Sequence, residues 1–104
     1  MQKGEHMKID KLENGNELVI SLAGRLDTIT APELEEQLAS GLEDKEKLTF
    51  DMEKLEYISS AGLRVLLSAQ KKMSKKGGMI VKNVSEEVME IFEVTGFADI
   101  LVIE

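Results

Sequence analysis

Residues 57–67 read Tyr57-Ile58-Ser59-Ser60-Ala61-Gly62-Leu63-Arg64-Val65-Leu66-Leu67. Two apolar residues run into a pair of hydroxyls, then a small residue, a glycine and a strongly apolar run at helical spacing. This is the pattern of a strand end that turns directly into a helix. Serine is favoured at such a start because its side-chain oxygen accepts an orphan backbone N–H. Gly62 is the unusual choice, since glycine inside a helix costs about 1 kcal/mol relative to alanine. A bare backbone there serves either close packing against a neighbouring element or close approach by another molecule. The hydroxyl pair on this turn, at the positive end of a helix, is the candidate functional site.

Downstream, Leu63, Leu66, Leu67 and Met73 continue the helix, which ends at Lys75-Lys76-Gly77-Gly78 with cations in its last turn and glycines just after. Met79 to Val84 reads as a buried strand. Ser85 caps a third helix with Val88, Ile91, Phe92 and Thr95 on its inner face and Gly96 at its end. Residues 97–99 make a turn, and Ile100 to Ile103 a last short strand. Upstream, Leu48 to Met52 alternates as a short strand, and Lys54 to Glu56 is a polar, irregular approach to the motif. Thr30-Ala31-Pro32-Glu33 reads as a helix start: Thr30 as cap, Glu33 in the capping-box position, and a proline tolerated only in the first turn. Ala31, Leu34, Leu38 and Leu42 form that helix's apolar stripe. Glu17 to Ala23 is a well-alternating strand ended by Gly24-Arg25-Leu26-Asp27. Lys8 to Glu13 is a weaker strand joined to it through Asn14-Gly15-Asn16, a hairpin signal. The order β-β-α-β-α-β-α-β predicts one α/β domain, a mixed sheet that opens with a hairpin and has helices packed over it.

A chain of 104 residues supports one domain. Residues 1–6 are polar and precede a second methionine, Met7, so they are set apart as an N-terminal tail, with the domain at 7–104. Cysteine is absent and the only histidine, His6, sits in the tail. Thiolate chemistry, histidine general-base catalysis and multi-histidine metal binding are therefore close to excluded, and no cofactor or metal is expected. A net charge of −7 repels nucleic-acid phosphates and anionic lipid. No apolar run approaches a membrane span and no signal-peptide core is present, which gives a cytoplasmic reading without nucleic-acid or membrane partners.

A nucleophile elbow needs glycines around its serine and a later histidine and acid; residue 58 is isoleucine and no histidine follows. A phosphate-binding loop needs a longer glycine-rich run ending in lysine. What remains is a hydroxyl open to modification, where phosphate adds about −1.5 to −2 charges beside N–H groups that tolerate anions. Asp27 and Asp51 read as turn-stabilising acids, the lysines from Lys71 to Lys76 as a solvated helix end, and Met52, Met73, Met79 and Met89 as core filler.

From Leu55 to Leu63 the sequence resembles the STAS domain family, in particular the bacterial anti-sigma factor antagonists. The resemblance runs from Met7 through nearly the whole chain: Gly24-Arg25-Leu26-Asp27, Ala31-Pro32, Asp51-x-x-x-Leu55, Gly77-Gly78 and Ile91-Phe92-x-x-x-Gly96. It implies partner switching. An antagonist binds an anti-sigma factor with serine kinase activity and so frees a sigma factor; the kinase phosphorylates the antagonist, the complex dissociates, and a serine phosphatase resets the cycle. The antagonist is then a substrate and not an enzyme, a monomer when free. The family's acceptor, two places before the glycine, falls on Ser60, with Ser59 standing where an aspartate is often found and therefore second choice. Arg25, Ala61 and Arg64 also depart from the common pattern. The implied partner surface is Gly24, Arg25, Leu26, Asp27, Ser59, Ser60, Ala61, Gly62, Arg64 and Ser68. The alternatives are the same fold serving a non-sigma kinase–phosphatase or signalling assembly, and a small hydrolase or phosphotransferase centred on Ser60.

Overall fold

Hydrophobic alternation lays out the sheet. A computed structural model describes residues 7–104; the tail assigned to 1–6, with His6, lies outside the described residues. Strand β1 (Lys8–Asn14) pairs antiparallel with β2 (Glu17–Leu26). Strand β3 (Lys47–Ile58) runs parallel to β2, and β4 (Met79–Lys82) parallel to β3, giving the order β1-β2-β3-β4. Asn14 lies opposite Glu17, so the hairpin loop is Gly15-Asn16, with φ positive at Gly15 and not at Asn16. That is the sign pattern of a type II′ turn, one residue later than an Asn-Gly centre. Helices α1 (Ala31–Gly41), α2 (Ser60–Met73) and α3 (Glu86–Thr95) add their apolar stripes to one core with Leu18, Ile20, Leu22, Phe50, Met52 and Val81. Met7 joins that core, as do Met52, Met73 and Met79, while Met89 is partly buried against it.

β3 is longer than the alternation Leu48–Met52 predicts. Its buried apolar residues are Leu48, Phe50, Met52, Leu55 and Ile58, so the spacing changes from two to three after Met52. The register explains the change: Ser21 pairs with Asp51 but Ala23 with Lys54, and Gly24 pairs with Leu55 but Arg25 with Tyr57. Each irregularity gives β3 one extra residue, as a bulge does, and restores the inward face. The stretch Lys54 to Glu56 is strand, not approach. β2 likewise extends through Leu26.

The last strand reduces to a single parallel bridge, Val81 to Ile103. Val81 donates to the Val102 carbonyl and accepts from Glu104 N–H. β4 has only four residues, and Asn83 at φ 59 then turns the chain out of the sheet. Thr95, expected on the inner face of α3, is exposed and its hydroxyl donates to the Ile91 carbonyl. Lys76 also departs from expectation. Its ammonium donates to the carbonyls of Leu42 (2.6 Å), Glu43 (3.0 Å) and Lys45 (3.0 Å). It thus supplies the cation that α1, with no basic residue in its last turn, lacks at its own carboxyl end.

Gly62 is explained by packing. A Cβ there would lie 2.6 Å from Leu26 Cγ and 2.8 Å from Ile58 Cγ1. Alanine gains about 1 kcal/mol of helix propensity, but overpacking costs about 1–3 kcal/mol. Gly62→Ala is therefore expected to lower the urea midpoint. At Gly41, where a Cβ would meet only Leu18 Cδ2 at 4.0 Å, alanine should leave stability unchanged or raise it. An unchanged midpoint in Gly62→Ala would contradict the packing account.

Candidate functional site

Parallel pairing sets the carboxyl ends of β2 and β3 side by side, with Leu26 opposite Ile58, and Ser59 N–H donates to the Leu26 carbonyl at 2.9 Å. The turn into α1 and the turn into α2 therefore leave the carboxyl ends of the two central strands side by side, the end at which parallel sheets bind their ligands.

Asp27 and Thr30 lock the first turn. The Thr30 hydroxyl donates to the Arg25 carbonyl (2.8 Å) and accepts from Asp27 N–H (2.8 Å). Asp27 Oδ1 accepts from the N–H groups of Ile29 (3.0 Å) and Thr30 (3.1 Å). The capping box expected at Thr30 does not form: Thr30 is buried with helical dihedrals, and its side chain makes no cap bond to α1. Its hydroxyl is drawn back toward β2, and Asp27 takes over by accepting Ala31 N–H on its carbonyl (2.8 Å). These donors, the Thr30 N–H foremost, hold the Asp27 carboxyl below its ordinary 3.8; burial opposes them, and the Ile29 N–H, the Thr30 hydroxyl and the Arg25 charge assist. Arg25 lies with its guanidinium carbon 4.3 Å from the Tyr57 ring centre and Nε 3.7 Å from Asp27 Oδ2.

In the second turn the two serines differ. Ser59 caps α2, its hydroxyl accepting from Gly62 N–H at 3.5 Å. Ser60, the first helical residue, is exposed, and among the described residues its hydroxyl has no hydrogen-bond partner. Arg64 and Ser68 are exposed along α2, and both line the groove between α2 and α1, where Glu35 faces them. Gly24 and Ala61 are half-buried. Leu26 and Gly62 are buried and support the two turns from beneath. Sequence reasoning missed Ile29, which the locked turn holds 78% exposed, and Tyr57, which pins Arg25. The three-residue spacing of Asp27 and Thr30 was the available signal, because such short polar side chains bond locally to turn backbone.

The lock makes a pH prediction. A carboxyl whose folded pKa is depressed stabilises the protein above its unfolded pKa, and the contribution is lost as pH falls through the folded value. Asp27→Ala is expected to cost about 0.5–2 kcal/mol near neutrality, the range for losing a capping acid. That difference should shrink below about pH 4, in step with protonation of Asp27. Equilibrium unfolding of both proteins across pH, with a carbon-13 titration of Asp27, checks both the size and the sign.

With this geometry in place, the comparisons with known proteins converge. Residues 8–104 match the STAS domain. The sequence is 31% identical to the anti-sigma-B factor antagonist of Bacillus subtilis, over 92% of this chain and 89% of that protein. The crystal structure of an anti-sigma factor antagonist from Mycobacterium paratuberculosis superposes with a TM-score of 0.86 at 22% identity, covering 99% of this chain and 89% of that one. The Bacillus cell fate determinant SpoIIAA in its phosphorylated form superposes at 0.71 and 17% identity, covering 94% and 90%. The chain belongs to the STAS domain family and, within it, to the anti-sigma factor antagonists.

Proposed function

We propose that the protein binds an anti-sigma factor that is also a serine kinase, releases a sigma factor by doing so, and is switched off by phosphorylation of Ser60. In this reading it works in the cytoplasm as a binding protein and kinase substrate, not as a catalyst, and a serine phosphatase returns it to the binding state. The kinase moves the γ-phosphoryl group of ATP onto the Ser60 oxygen; the hydroxyl proton departs and ADP leaves. The observation that carries the choice of residue is the contrast at the turn: the Ser60 hydroxyl is exposed and makes no hydrogen bond among the described residues, whereas the half-buried Ser59 accepts the Gly62 N–H as the helix cap. The relatives' names support the class of partner.

The contact surface proposed is Gly24, Arg25 and Asp27 on the first turn, Ser59 to Ala61 on the second, and Arg64 and Ser68 on α2, with Leu26 and Gly62 acting from beneath. Ile29 adds an apolar anchor to it. A phosphate on Ser60 brings charge into a surface that binding must desolvate. Loss of about 2–3 kcal/mol there weakens binding by about 30- to 150-fold.

Incubation with the cognate anti-sigma factor kinase and ATP tests the assignment. Wild type and Ser59→Ala should take up phosphate, while Ser60→Ala takes up none and stays bound. The phosphorylated protein should bind the kinase about 30- to 150-fold more weakly by calorimetry. Full labelling of Ser60→Ala, or undiminished binding after phosphorylation, would overturn the reading.

A further inference from the structure

We infer that Arg64 is the intramolecular counter-ion of a phosphate on Ser60, so that modification adds an anion and withdraws a cation from the same surface. The inference rests on Ser60 as the modified residue. Ser60 and Arg64 stand four residues apart on α2, both exposed. At that spacing side chains are neighbours, about 5–6 Å between Cβ atoms. Helical side chains lean toward the helix amino terminus, which tips the long Arg64 chain toward Ser60. The order is also the favourable one: an anion placed before a cation at this spacing pairs better than the reverse. A guanidinium matches phosphate oxygens with two parallel N–H donors.

The charges around the pair leave Arg64 available. Among the described residues no carboxylate lies within 4.0 Å of it. Glu35 of α1 lines the same groove and is the one acid facing it there, beyond ion-pair distance. Arg25, the other arginine, comes from β2 and is already engaged by Asp27 and the Tyr57 ring. An unmodified Ser60 gives Arg64 nothing to bind ionically, so the guanidinium is free to meet a partner. A phosphate one turn away on the same helix, carrying close to two charges, outcompetes the single charge of Glu35 across the groove.

The test uses the whole chain with phosphoserine installed at position 60 during translation, which makes it independent of any kinase. Phosphorus NMR then follows the second ionisation of the phosphate in the wild type, Arg64→Gln and Arg64→Lys. A facing guanidinium favours the dianion, so the wild-type midpoint should lie about 0.5 unit below that of Arg64→Gln. Arg64→Lys should fall between them, and the gap should narrow in 1 M salt. The Arg64 Nε–H resonance should move on modification in the wild type. Equal midpoints in the wild type and Arg64→Gln, both folded by circular dichroism, overturn the inference. A protein that kinases never phosphorylate at Ser60 overturns the proposed function instead and leaves this measurement standing.

Discussion

Three apolar groups at the carboxyl ends of the two central strands hold the site in place: Leu26 at the end of β2, Ile58 at the end of β3, and the bare Cα of Gly62 resting on both. This is a constraint on distance. Any side chain at 62 would push the first turn of α2 away from the strands and with it the serine turn. The bulges of β3 serve the same corner. Between the Ile20–Phe50 and Leu26–Ile58 pairs, β3 uses two more residues than β2, and the extra residues keep Leu55 and Ile58 facing the core. A one-residue slip without compensation would turn Ile58 outward and leave Gly62 with nothing to approach.

The first turn of the site depends on polar rather than apolar restraint. Asp27 and Thr30 between them occupy the N–H groups of Asp27, Ile29 and Thr30 and the carbonyl of Arg25. The turn carries Ile29 outward at 78% exposure, a position that core packing does not explain. A fixed apolar group costs less to immobilise on binding than one on a mobile loop. On the proposed partner surface Asp27 would therefore act chiefly by holding Ile29 and orienting Arg25, and Tyr57 adds to the second task from β3.

Element order, the helix stripes and the strand-to-helix turn were legible because each rests on local periodicity or capping: Leu34, Leu38 and Leu42 are buried, and Ser59 and Ser85 cap. What was not legible was decided across the sheet. The length of β3 depends on its pairing with β2, since alternation stops at Met52 while pairing does not. Lys76 reads as an answer to its own helix end, yet it serves the carbonyls after α1, more than thirty residues earlier in the chain. Gly62 alone left two explanations open, and only the positions of Leu26 and Ile58 favour packing over access for a partner. The final strand failed because β4 is too short to accept one.

The same geometry bears on how a switch at Ser60 can work. Every restraint that sets the turn belongs to a neighbour: the Ser59 N–H and hydroxyl, Gly62 and Leu26. Ser60 contributes an exposed hydroxyl that makes no hydrogen bond among the described residues, so a phosphate there would displace no side-chain bond the fold uses. A modification can shift a conformational equilibrium only through differential interaction with two states, and the restraints that set this turn do not pass through the Ser60 side chain. In the proposed switch the effect of a phosphate would then reside in the partner complex, where a chain already at −7 would become more acidic at the proposed contact surface. An intramolecular Arg64 pair would sharpen that effect without remodelling the fold, because the cation it withdraws sits on the same helix face as the anion it meets.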